Sequence, residues 1–215
     1  VRAEQLRADV SAALADRQLL RHPFYLRWEA GELTVEDIAA YASQYLHFEA
    51  SLPAMLRRLV AQLGDHPAAE SVRRNLEDEE SNPMPHVELF ATFATAVGAR
   101  PATAAGAAAR HLVDTYNALI DAGPAEGLAA MVAYEMQAPA IAATKAEGLR
   151  KHYRIDSAGT AFWDLHATMD TDHADWTFEA LAALPVVAGT VVTSARAGAD
   201  AWWNFLDERE LTLAR

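Results

Sequence analysis

Apolar positions along the chain are carried mostly by alanine and leucine, with arginines and acids set between them. Runs of β-branched residues are rare outside Val186-Val187 and Val191-Val192, and glycine and proline fall mostly where segments end. This pattern predicts helices throughout. A first helix is expected over residues 3–20, followed by the aromatic segment 21–28, which Gly31 closes. Thr34 and Asp37 form a capping-box pattern, with Asp in the usual Glu position. It opens a helix toward Leu63, with a kink expected at Pro53. Residues 64–67 read as a turn, and a further helix over 68–80 is interrupted at 81–85 before resuming over 86–97. The remaining helices are expected over 103–121, 125–151 (kinked near Pro139), 157–184 and 185–211. The fold class is therefore all-α, a bundle of about seven to eight helices. No repeat, linker or composition shift divides it, so residues 1–215 read as one domain.

Charge narrows the function classes. The 215-residue chain carries a net charge of −12 with a pI near 5.0, which speaks against nucleic acid or an anionic membrane surface as partner. No apolar run approaches the ~20 residues of a membrane span and no signal-peptide pattern opens the chain, so a cytoplasmic location is expected. Cysteine is absent. Disulfides, iron–sulfur clusters, thiolate-bound haem and a cysteine nucleophile are thereby excluded. Only two of the 18 basic residues are lysines, Lys145 and Lys151.

Candidate chemistry begins with His166, Asp170 and His173, at i, i+4 and i+7. On a helix these three share one stripe across two turns, and two imidazoles with a carboxylate make part of a coordination sphere for iron, manganese or zinc. Taken alone, the triplet is equally well a polar helix face. Glu79 and His86, seven residues apart, flank the proline-rich interruption, and distortions of this kind often occur at functional sites. Glu135 stands in the apolar stretch 131–139 as a ligand, a partner of a cation or an exposed residue. Three carboxylates and three imidazoles fit a non-haem Fe/Fe or Mn/Fe pair. The paired Glu-x-x-His motifs of ferritin-like proteins are missing, which requires a different helical scaffold. His22, His47, His66, His111 and His152 show no comparable spacing and read as structural or surface groups.

Glu-x6-His, Tyr-Glu-x-Gln-x-Pro and His-x3-Asp-x2-His together resemble the haem-oxygenase-like di-iron oxidases, whose fold is similar to those of haem oxygenase, TenA and PqqC. The resemblance covers about residues 22–173 and implies Glu79, His86, Glu135, His166, Asp170 and His173 as metal ligands. Further likenesses at 22–28, 31–34, 40–42, 75–80 and 134–139 point to the branch of self-sacrificing para-aminobenzoate synthases. That branch implies Tyr25 as source of the ring and Lys145 as amino donor, with dioxygen and an external reductant consumed and the electron donor unidentified. Leu46 departs from the branch, where an aromatic residue is expected after Tyr45. Desolvation in an apolar wall would favour the neutral amine of Lys145, which is expected on the helix stripe of Glu135 through Ala138 and Ala142. The bland alternative makes Tyr25 a core aromatic and lets Lys145 reach solvent. Tyr41, Tyr45 and Tyr134 are further oxidisable tyrosines.

Three functions remain open at this level. One is para-aminobenzoate formation from the protein's own Tyr25. The second is a multiple-turnover oxidase of the same fold acting on a free amino acid, fatty acid or natural-product intermediate. The third is a non-enzymatic interaction protein with a vestigial metal site. An exposed helix face is compatible with a homodimer.

Overall fold

The computed structural model describes residues 2–81, 83–100 and 104–213. Among these residues there is no strand, and eleven α-helices are formed. They are α1 (Ala3–Ala13), α2 (Pro23–Ala30), α3 (Val35–Glu49), α4 (Leu52–Leu63), α5 (Ala68–Ser81) and α6 (His86–Ala96), then α7 (Ala107–Ala122), α8 (Pro124–Glu135), α9 (Ala138–Tyr153), α10 (Ser157–Ala183) and α11 (Ala188–Leu211).

The count exceeds seven to eight because two expected kinks are complete breaks and the aromatic segment forms a helix of its own, α2. Pro53 and Pro139 each sit in the first turn of a new helix, α4 and α9. A proline lacks the N–H that would continue the preceding helix, but that position needs no such donor. At the second break the Gln137 side chain is held by two hydrogen bonds to backbone. Its amide oxygen accepts from the Leu19 N–H at 2.9 Å, and its amide nitrogen donates to the Ala133 carbonyl. The first helix stops at Ala13 rather than continuing to residue 20. Arg17 is drawn out to Asp200 of α11 at 2.6 Å, and a short 3-10 turn, Leu19–Arg21, leads into α2. The expected helix start at Thr103 lies outside the described residues; α7 begins at Ala107.

Other ends follow their sequence signals. Thr34 and Asp37 close a reciprocal capping box on α3. Gly31 ends α2 in the left-handed region (φ +72°), where a side chain would be strained and would collide with the His152 ring. Pro83 and Pro85 separate α5 from α6, and His86 is the first residue of the new helix.

The long helix α10 packs against α5, α6, α8 and α9, while α11 covers α7, α8 and α1. Leu, Ala and aromatic side chains from every helix fill one continuous core. A stripe of α10 inside that core carries polar residues, buried together with Glu79, His86 and Lys145. Burial of so many ionisable groups costs free energy unless they are paired, so their company is the informative feature. No helix among the described residues is long and apolar enough to cross a membrane.

Candidate metal centre

Glu79 in the last turn of α5, His86 in the first turn of α6 and His166 on α10 each offer a ligand atom, all within 4.8 Å of one another. The helix break keeps Glu79 and His86 together: His86 Nδ1 lies 3.0 Å from Glu79 Oε2. The imidazoles of His86 and His166 meet edge-on with centroids 4.7 Å apart. His166 Nδ1 donates to the Phe162 carbonyl at 2.8 Å, which fixes the tautomer and leaves Nε2 as an acceptor for a cation.

Two turns further along α10, His173 Nδ1 faces Asp170 at 3.2 Å and its Nε2 donates to Asp78 at 3.2 Å. Burial alone would lower the His173 pKa. The hydrogen bond to Asp170 and the charges of Asp170, Glu135 and Glu79 overcome it and raise the value to about 9. Glu135 closes α8 and accepts from Asn75 Nδ2 and Thr177 Oγ1, both at 2.8 Å. Burial raises its pKa, opposed by the charge of His173 and by these two hydrogen bonds. Glu79 is held below the usual carboxylate value although burial pushes the other way, because the His86 hydrogen bond and the charges of His86, His166 and His173 prevail.

Glu79, Glu135, His166, Asp170 and His173 line one cavity with Glu49, Tyr45, Tyr134 and Trp163, and His86 stands directly behind Glu79. Its free volume is about 40 Å³, on a scale where one water takes about 10–15 Å³. The empty space therefore holds on the order of three waters. Imidazole and carboxylate donors without sulfur fit iron or manganese.

Tyr25 and Lys145 lie behind the Tyr45–Trp163 wall of this cavity. Lys145 does not share a helix with Glu135, as the sequence had implied, because residues 136–137 separate α8 from α9. Ala138 and Ala142 nevertheless line the cavity, and Lys145 follows them on α9. Its side chain is 1% exposed, so it does not reach solvent. Its Nζ lies 4.5 Å from the Tyr25 ring centroid, 4.8 Å from that of Tyr41, 5.3 Å from Tyr45 and 4.0 Å from the Trp163 ring. It donates to the Tyr41 hydroxyl at 2.5 Å, and the Tyr25 and Tyr41 hydroxyls are 3.0 Å apart. Desolvation alone lowers the Lys145 pKa far below that of a free lysine. Gly148 permits the close approach of α9 to α2, since a Cβ there would stand 2.9 Å from the Trp28 ring, whose Nε1 donates to the Lys145 carbonyl.

Four residues of the centre were not singled out from sequence: Glu49, Asn75, Asp78 and Thr177. Helical spacing carried a signal for two of them. Thr177 lies four residues past His173 on the α10 stripe, and Asn75 lies four before Glu79 on α5.

An all-helical fold enclosing carboxylates and imidazoles in its core defines a class of helical protein that holds metal between its helices. The chain belongs to the family of iron-containing redox enzymes, whose model matches residues 39–203. It is 36% identical to the 4-aminobenzoate synthase of Nitrosomonas europaea, across 92% of this chain and 88% of that protein. In fold it resembles a CADD-like protein of unknown function from Nostoc punctiforme (TM-score 0.81, 18% identity, 99% of both chains). It also resembles a domain with a heme oxygenase-like fold from Shewanella denitrificans (TM-score 0.80, 15% identity, 98% of this chain and 93% of the other). Membership in a family of redox enzymes leaves the non-enzymatic reading without support.

Proposed function

We propose that the protein forms 4-aminobenzoate from its own Tyr25, with Lys145 as nitrogen donor, at a pair of iron ions or an iron–manganese pair held by Glu79, His86, Glu135, His166, Asp170 and His173. The pair, when bound, would supply oxidising power from dioxygen and an external reductant. The observation that carries the reading is the position of Lys145: a buried amine 4.5 Å from the Tyr25 ring, without an ion pair among the described residues.

The chemistry required of Tyr25 follows from comparing its side chain with the product. 4-Aminobenzoate has an amino group where tyrosine has its hydroxyl, and a carboxylate where tyrosine has its methylene carbon. Nitrogen must replace the oxygen on the ring carbon, with that oxygen lost as water and the Lys145 Cε–Nζ bond broken. The Cα–Cβ bond must also break, with oxidation of Cβ to a carboxylate at the expense of dioxygen. A neutral amine is the nucleophilic form of lysine, and the dry aromatic surroundings of Lys145 favour it. Tyr41 bridges the two reactants by hydrogen bonds to both. Tyr45 and Tyr134, joined hydroxyl to hydroxyl at 2.8 Å, stand between that pocket and the carboxylates and are positioned to carry an oxidising equivalent inward. The small free volume supports a substrate that is already part of the wall, since a free aromatic acid or fatty acid needs far more than three water volumes.

The test is to load the protein anaerobically with ferrous iron, with and without manganese, and then admit oxygen and a reductant. At most about one 4-aminobenzoate per chain is expected, with mass changes confined to the Tyr25 and Lys145 peptides, and Tyr25→Phe should bind metal normally yet release nothing. Repeated turnover with Tyr25 intact would overturn the reading.

A further inference from the structure

One buried acid of the cavity has no part in the six-residue set. Glu49 lies in the last turn of α3, 3% exposed, and Oε1 has no hydrogen-bond partner. It is not an outlying residue: it lines the cavity with Glu79, Glu135, His166, Asp170 and His173. A buried carboxylate oxygen without a donor is costly, whereas both oxygens of its neighbour Glu135 are satisfied by Asn75 and Thr177. Burial, and then the charges of Glu79 and Asp170, push the Glu49 pKa well above the usual carboxylate range.

We infer that Glu49 is a further protein ligand of the metal pair, its unpartnered Oε1 directed at the cations; this rests on the six-residue reading above. Charge balance points the same way. Glu79, Glu135 and Asp170 bring three negative charges to two divalent ions, and the histidines bind as neutral imidazoles. One positive charge would remain in a cavity otherwise walled by Phe48, Tyr116, Met131 and Phe162. A fourth carboxylate neutralises it, which a water-poor interior favours. Helix α3 also carries Tyr41 and Tyr45 on the Glu49 stripe at four-residue intervals. A ligand on α3 therefore ties the metal pair to the helix that also presents the tyrosines surrounding Lys145.

The 215-residue chain is tested as wild type and Glu49→Gln, each loaded anaerobically with ferrous iron alone. Bound iron is counted, its affinity measured by chelator competition and its Mössbauer spectrum recorded. Wild type should hold two equivalents. Glu49→Gln should keep one and bind the other at least about tenfold more weakly, with one quadrupole doublet altered. A crystal structure of iron-loaded wild type, located by anomalous scattering, should have a Glu49 oxygen in the coordination sphere, a readout that does not depend on any variant folding. Two equivalents in Glu49→Gln at wild-type affinity, or Glu49 outside coordination distance in the loaded crystal, would overturn the proposal. Failure of the underlying six-residue reading looks different: wild type itself would then hold no iron pair, and both ideas fall together.

Discussion

In the metal cavity His173 has a carboxylate on each ring nitrogen, Glu79 lies against His86, and Glu135 accepts two hydrogen bonds. Across the shared Tyr45–Trp163 wall, Lys145 is equally buried and has rings and a phenol for company but no acid. Burial penalises charge in both places, and the outcomes are opposite. His173 is driven toward its charged form and Lys145 toward its neutral one. Charge state in a core is thus set by neighbours rather than by depth. One side of the wall is suited to attracting cations, the other to presenting a free amine to a ring.

The largest expected effect separates the two sides outright. His86→Ala should lower iron binding and reduce product at least roughly a hundredfold, while peptide mass spectrometry finds Tyr25 intact. Undiminished yield would dissolve the distinction.

A pH series sharpens it next. With His173 titrating at about 9 in the metal-free protein, a metal must displace its proton at neutral pH. Ferrous affinity should therefore climb by about tenfold per pH unit from 7 toward 9. The stability sign runs the other way. A raised histidine pKa contributes stability fully below its ordinary value of 6.5, and this is lost as pH rises through about 9. Metal-free protein should melt progressively lower over that window; a flat melting profile would contradict the His173–Asp170 pairing.

Thr177→Val removes one of the two hydrogen bonds on Glu135 and should weaken metal binding roughly tenfold, measured by chelator competition. Equal affinity would mean that Glu135 needs no such support.

The smallest effect belongs to the dry side. Lysine with a depressed pKa costs nothing above its unfolded value, and the cost grows as pH falls toward its folded one. Lys145→Met should therefore raise the melting temperature by a few degrees, about 2–4 °C for each kcal/mol relieved. The gain should be greater at pH 7 than at pH 10, and a pH-independent gain would point to packing alone.

Helical spacing made candidate ligands legible only where they share a helix, as His166, Asp170 and His173 do on α10. Glu79, His86 and Glu135, each on a different helix, stood out by the proline-rich interruption and the apolar stretch 131–139. Glu49 was not legible, since the nearest ligand type on α3, His47, is two residues away and so on another face, and an isolated acid in a helix is ordinarily a solvated one. Asp78 was hidden by four consecutive acids, residues 77–80, only one of which faces the cavity. Helix type and most ends followed from composition and caps. Whether Pro53 and Pro139 bend or break their helices is not written in the proline itself; at Pro139 the break comes with a contact distant in sequence, Gln137 with Leu19.

The full burial of Tyr25 has a consequence for the lifetime of the protein. Its ring is enclosed by Phe24, Tyr41 and the Lys145 side chain, and cutting the Cα–Cβ bond would leave a glycine in the first turn of the eight-residue helix α2. Emptying such a site removes about 3–5 kcal/mol. Small proteins have only about 5–15 kcal/mol of stability in all. A chain that had reacted would therefore be marked by its own chemistry as a substrate for proteolysis, and the pool of folded molecules would be cleared of spent ones without a separate sensor.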